Sequence, residues 1–425
     1  MTVKEDFLYY LWKFGKLHLQ KLETSQKETI QIINLGTHNH HAGPDFFNAQ
    51  LRVGNQLWAG NVEMHVNASD WFVHHHEKDK NYDNVILHVV WNHDMDVHRK
   101  DNSVIPTIVL KDFTDFTQIQ RYVTLMNSPK KWINCENEFP VLDDFQLENW
   151  LERLYLERLE TKSIEIETLV KATKYDWEAV LFRLLAKGFG LKLNSEAFFE
   201  AACSVDFSTI RKLSAKQFSL EAFLFGIFGL LSQEVTQEKY YEQLLREYNY
   251  LTHKFEYAKK AAIPVQFFRT RPPNFPTIRA SQLATLYHQQ DNLFSKIITS
   301  TSIDELYTIL RVATASFWET HYTFEKISPK RKKILSKNFI DVLLINSIIP
   351  LKYCYERYLG TSNIEDIFAL LRTITPEKNS IIQKFSTKNI AIENAMHTQA
   401  LLELKKKYCN AHQCLQCAVG NALLK

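Results

Sequence analysis

The sequence predicts an α+β protein, in which an N-terminal α/β domain with a mixed sheet precedes a large, mainly α-helical domain. Two observations carry this. Short β-branched and aromatic runs separated by turn residues fill the first 110 residues, and from about Asp143 apolar residues recur at helical spacing instead. The predicted boundaries are an α/β domain over 1–115, a linker over 116–142 and a helical domain over 143–425.

The elements follow in order. Asp6 to about Leu22 has aromatic and aliphatic residues at helical spacing and forms the first helix. Strands are expected at Thr29–Leu35, Ala49–Val53, Gln56–Val66, Val85–Trp91 and Val104–Leu110, with Gly54-Asn55 as the tight turn of a hairpin. Asp70 to Tyr82 is a loop or short helix. Asp143 with Gln146 makes a capping box ahead of Leu147, Trp150, Leu151 and Leu154. Further helical patterns cover 177–190, 195–203, 215–232, 237–260, 278–288, 303–312, 338–358, 363–373 and 387–408.

Composition narrows the classes. A hydrophobic content of 45% with 28 Phe, 18 Tyr and 8 Trp excludes a disordered chain, and 425 residues give room for two or three domains. A net charge of +3 does not by itself imply nucleic acid, so any such surface is a local patch. Glu5 and Asp6 occupy the place of a signal peptide's basic start, and the longest apolar run, Ala222 to Leu231, is about half of a membrane span. A soluble cytoplasmic protein with no membrane partner is expected. Six cysteines in so long a chain are not a disulfide framework.

Eleven of the sixteen histidines lie at or before His98. Carboxylates accompany them in His38-Asn-His40-His41-Ala-Gly-Pro-Asp45, Glu63-Met-His65 and His74-His75-His76-Glu-Lys-Asp79. Imidazole and carboxylate are common ligands of divalent metals, and an ionised Asp–Glu pair needs a cation to offset its repulsion. Asp45 follows Gly43-Pro44 at the mouth of a strand, while Glu63 and His65, two apart, project from one strand face. A hairpin at Gly54-Asn55 lays the two strands side by side, pairing the residues after Asp45 with those around Glu63. The competing reading of each histidine is structural: His88 as a sheet residue, His93 and His98 as surface, and His74–His76 as a solvated turn anchored by Trp71 and Tyr82.

Pro44-Asp45, the hairpin and Glu63-Met64-His65 resemble the PD-(D/E)XK nuclease superfamily, with His65 where the motif has lysine. The resemblance implies a nuclease-like mixed sheet in which Asp45 and Glu63 bind Mg²⁺ or Mn²⁺. It also implies that His65 orients or deprotonates water, with Glu5 as a further acidic candidate and Lys78 or Lys80 as a substitute cation. Over nearly the whole chain the sequence also resembles an uncharacterised bacterial family of unknown function. That likeness rests on Ala42-Gly-Pro-Asp45-Phe, Gly60-Asn-Val-Glu63-Met-His65, Asp70-Trp71, His74, His76, Asp79, Tyr82, the Val85–Val90 strand, the Arg269–Arg279 stretch and the terminal cysteines. It makes His74, His76, Asp79 and Tyr82 supporting site candidates and carries no activity.

Cys409, Cys414 and Cys417 have x4 and x2 spacing suited to Zn²⁺ or an iron–sulfur cluster, with Cys135 as the fourth ligand rather than His412. Some PD-(D/E)XK relatives carry a similar one-plus-three arrangement around an iron–sulfur cluster. Cys203 and Cys354 sit at apolar helical positions and read as core. In Phe267-Phe268-Arg269-Thr-Arg271-Pro-Pro-Asn-Phe-Pro-Thr-Ile-Arg279, prolines keep the chain extended and Arg269, Arg271 and Arg279 are candidate phosphate contacts, or else an interdomain clamp of buried arginines. Trp318-Glu-Thr-His321-Tyr322 offers a stacking surface or an acid–base histidine, or else His321 is an internal hydrogen-bonded residue, and Lys330–Lys333 reads as a solvated basic turn. Three functions remain: a metal-dependent nuclease acting on DNA or RNA, an inactive nuclease-fold module that binds nucleic acid or protein, and a His-rich metalloenzyme of another class.

Overall fold

The computed structural model describes residues 3–18, 22–39, 41–126, 132–231, 238–258, 263–361, 363–388 and 390–424; His40 lies outside the described residues. By its internal contacts the chain divides into two compact units, Met1–Trp150 with Glu403–Lys425, and Leu151–Leu402.

The first unit sets the helix α1 (Glu5–Lys13) against a mixed sheet of β1 (Ile30–Asn34), β2 (Thr37–His38), β3 (Phe46–Val53), β4 (Gln56–Asn67), β5 (Val85–Asn92) and β6 (Thr107–Val109). The order is β1-β3-β4-β5-β6, with β2 paired to β3. β1, β3 and β4 are antiparallel, whereas β4, β5 and β6 are parallel. The hairpin turns at Gly54-Asn55, placing Val53 opposite Gln56 and Phe46 opposite Val62. Gly54 has a φ of 55°, the left-handed conformation that such a turn demands. β5 is buried on both faces from Val85 to Val90, which is why it is a continuous apolar run rather than an alternating one.

Between β4 and β5 the chain forms the single turn α2 (Asp70–Val73) and 3₁₀ turns at His76–Lys78 and Lys80–Tyr82. Beyond β6, within the segment expected as linker, lies α3 (Phe116–Met126). Its Ile119, Tyr122 and Leu125 are buried, Tyr122 stacks on Phe7 of α1 with centroids 4.1 Å apart, and its hydroxyl donates to Asp6 Oδ1 at 3.3 Å. That three-residue apolar spacing is a helical signal. At the other end of the sequence, Leu415 and Leu424 join the core built on α1. The terminal cysteines therefore group with the first unit, whereas the sequence reading set them in the helical domain.

α4 (Asp144–Ala172) opens on the expected cap, with the Gln146 amide donating to Asp143 Oδ1 at 2.8 Å. The second unit is helical: α5 (Trp177–Phe189), α6 (Leu191–Cys203), α7 (Phe207–Leu213), α8 (Gln217–Ile227), α9 (Lys239–Lys254), α10 (Pro276–Gln289) and shorter helices up to Ala395–Glu403. The pattern expected at 338–358 is helical from Lys337 to Leu359 but is interrupted by a π-helical turn at Leu344–Ile348. α10 is buried all round from Pro276 to Tyr287, and Thr277, Arg279, Ser281, Gln282 and Thr285 on it find hydrogen-bond partners inside the unit.

Two expectations for this unit change. Lys333 is buried, its ammonium donating to the carbonyls of Trp318 and Glu319, so only part of Lys330–Lys333 is a solvated turn. Trp318 is buried against Phe225, so it offers no stacking surface. Among the described residues, no helix is long and apolar enough to cross a membrane.

Candidate metal centre

The first unit brings Asp45, Glu63 and His65 together through the register of β3 and β4. Phe46 is the first β3 residue paired with β4, so the Met64 amide lies past the end of that ladder. The Asp45 side chain takes the vacant place: Met64 N–H donates to Asp45 Oδ2 at 2.9 Å, and Asp45 N–H donates to Glu63 Oε2 at 3.2 Å. This reciprocal lock holds both carboxylates at the same point of the sheet. A register shift between Phe46 and Ala49, with Asn48 at a φ of 58°, bends β3 just beyond it.

Burial raises both acids, Asp45 to about 7 with repulsion from Glu63 adding to the effect, and Glu63 to about 8. Tyr9 of α1 shares a hydrogen bond with Asp45, and Glu5, one turn earlier on the same face, adds negative potential to both carboxylates. Glu5 is itself raised, first by burial.

Three imidazoles complete the centre. One nitrogen from each of His65, His74 and His76 lies within 4.8 Å of the other two. Glu63 Oε1 sits 3.3 Å from His76 Nε2 and 3.6 Å from His65 Nε2, while His65 Nε2 is 3.1 Å from His74 Nδ1. On its other side His65 Nδ1 meets Nε2 of fully buried His88 at 2.8 Å. When Nδ1–H donates to His88, Nε2 presents its lone pair toward Glu63 and His74. Burial drives His65 down to about 2 and also lowers His76, so both rings are neutral at ordinary pH.

Other expected residues take peripheral places. Tyr82 stacks on His76 at 3.8 Å, and Trp71 packs edge-on to both, which holds the His74–His76 turn against the sheet. Asp79 is exposed and accepts the Asn81 amide at 2.9 Å. Lys78 and Lys80 are exposed, and Lys78 pairs with Glu77. A cavity of about 190 Å³ opens beside His76, lined in part by Trp71, Tyr82, Arg99 and Lys100.

The arginine motif lies in the second unit and divides. Arg269 and Arg271 are exposed. Arg279 is buried, with its guanidinium 3.5 Å from the Phe339 ring centroid and donating to Gln282 Oε1 and Asn274 Oδ1. Arg279 is thus a buried clamp rather than an open phosphate contact, but its partners all lie within the second unit, so it is not the interdomain clamp expected.

Tyr9 and His88 are the participants that sequence reasoning missed. Tyr9 falls four residues after Glu5 on a helix, a spacing that places both on one face. His88 sits among apolar strand residues, and only the parallel register that pairs Glu63 with His88 brings it beside His65.

A family model described as "Protein of unknown function (DUF2851)" matches residues 5–380. No curated protein and no solved structure matches the chain.

Proposed function

The chain belongs to the DUF2851 family, and we propose that its first unit is a divalent-metal-dependent hydrolase of phosphodiesters in DNA or RNA. The observation that carries the proposal is the convergence of the interlocked Asp45 and Glu63 with the nitrogens of His65, His74 and His76. The donor set suits such an ion: hard carboxylate oxygens beside imidazole nitrogens match Mn²⁺ or Zn²⁺ better than Mg²⁺, which prefers oxygen throughout. Buried His76 Nε2, which makes no hydrogen bond, supports a role as a ligand.

Asp45, Glu63 and His76 would hold the ion, which when bound would supply Lewis-acid activation of water and charge neutralisation at the phosphate. His65, kept neutral by burial and oriented through Nδ1 by His88, would position the water by accepting its hydrogen bond at Nε2. Tyr9 and the Met64 amide would keep Asp45 aimed. Lys100, on the rim of the adjoining cavity, would meet a neighbouring phosphate.

The test is cleavage of single- and double-stranded DNA and RNA with Mn²⁺, Zn²⁺ or Mg²⁺, comparing wild type with Asp45→Asn and Asp45→Ala. Metal-dependent cutting by wild type alone is expected. Absence of cutting, or equal cutting by the variants, refutes the assignment. The three clustered imidazoles favour one second reading, a His-rich metalloenzyme of another class. Tight Zn²⁺ retention with every phosphodiester left intact would select it.

A further inference from the structure

We propose that Cys135, Cys409, Cys414 and Cys417 hold an iron–sulfur cluster, a second metal centre in the first unit that is independent of the Asp45 site. All four belong to that unit and none is in a disulfide. Cys417 is buried and the other three are partly so. Cys135 and Cys414 pack against the core built on α1, and Leu415 is inserted into it. The sulfurs share one neighbourhood: Cys409 feels the charge of Cys417, Cys135 and Cys414, and Cys414 feels that of Cys417.

Hydrogen bonding gives an independent reason to regard them as ligands. The backbone amides of Val419 and Gly420 donate to Cys417 Sγ. A thiol is a weak acceptor, whereas donors aimed at sulfur stabilise a metal-bound thiolate and tune a cluster's potential. The backbone is shaped for this approach. A Cβ at Gly420 would stand 2.0 Å from the Cys414 carbonyl oxygen, so only glycine lets the helix Ala418–Leu423 begin against the Cys414 turn. His412 is exposed at a φ of 55°, outside the set.

Spacing selects the occupant. A zinc tetrahedron with Zn–S of about 2.3 Å brings its sulfurs within about 4 Å of one another. Among the described residues, His65, His74 and His76 form a set with all ligand atoms within 4.8 Å, and the cysteines form none. A cluster interposes its own irons and sulfides and spreads its thiolates wider. Bound there, it would tie the C-terminal segment to the Ile133–Glu136 turn.

The full chain, purified without oxygen, should show broad visible charge-transfer absorption together with iron and inorganic sulfide. Cys135→Ser and Cys417→Ser should each lose them, while Cys203→Ser and Cys354→Ser keep them. Because a ligand variant can fail to fold, a second measurement uses wild type alone: iodoacetamide labelling mapped by mass should spare Cys135, Cys409, Cys414 and Cys417 in the loaded protein and reach them after chelation, with buried Cys354 spared in both states. Zinc without iron would overturn the cluster. No metal after anaerobic reconstitution with iron and sulfide would overturn the centre, and loss of colour in Cys203→Ser would overturn the ligand set.

Discussion

Glu221 of α8 makes the folding of the second unit pH-dependent. The residue is fully buried, with Oε1 accepting from Trp318 Nε1–H at 2.6 Å and Tyr240 O–H at 3.0 Å, and Oε2 accepting from Ser281 O–H at 3.1 Å. Burial outweighs these donors and raises the carboxyl from 4.5 to about 7. The folded state therefore binds its proton more tightly than the unfolded chain. The resulting stability is complete below about pH 4.5 and is lost as pH rises through about 7. Integrated from pH 5 to pH 8, a shift of this size is worth about 2.5 kcal/mol. Glu221→Gln removes the titration yet keeps the contacts, its carbonyl accepting from Trp318 and Tyr240 and its amide donating to Ser281 Oγ. Urea unfolding followed by tryptophan emission should show wild type losing about 2.5 kcal/mol more than the variant over that interval. Identical pH dependence in the two proteins would refute the reasoning.

Other perturbations test the first unit and the arginine clamp. A Cβ at Gly60 would lie 2.5 Å from Ile86 Cγ2 and 2.6 Å from the Asn84 carbonyl oxygen, so Gly60→Ala should destabilise the unit by about 1–3 kcal/mol in thermal unfolding. A variant as stable as wild type would remove the packing account of this glycine. His88→Phe keeps a ring in the core but takes away the partner of His65 Nδ1, and Mn²⁺-dependent cleavage should fall about 10- to 100-fold with the circular dichroism unchanged. Unaltered cleavage would mean that His88 does not orient His65. Arg279→Met strands the oxygens of Asn274 and Gln282 and should cost about 1–3 kcal/mol, whereas exposed Arg271→Met should stay within about 0.5 kcal/mol. Equal effects would undo the distinction between clamp and surface.

Much of the sheet is legible because its signals are local. The Gly54-Asn55 turn sets the β3–β4 register as far as Ala49 opposite Gly60, and the shift between Ala49 and Phe46 then puts Phe46 beside Val62 and brings Asp45 to Glu63. The period-2 rule then sets His65 on the same face as Glu63. α3 is concealed by its surroundings, because Ile119, Tyr122 and Leu125 are a short apolar series among polar residues and gain their meaning from Phe7 of α1. The Lys330–Lys333 run misleads for a similar reason: a charge run suggests solvent, but the Trp318 and Glu319 carbonyls capture Lys333 inside the unit.

The histidines divide along the same line. By itself the sequence determined the α+β class, the hairpin and the Asp45–Glu63–His65 group, since turn chemistry and strand periodicity act over a few residues. Tertiary structure alone decided that His74 and His76 close on that group, that His88 holds the far side of His65, and that Tyr9 and Glu5 come from α1. It also decided that the terminal cysteines belong with the first unit. Those contacts depend on a parallel β4–β5 pairing and on chain ends meeting across long separations. Side-chain type and spacing carry no record of such encounters until the core has formed.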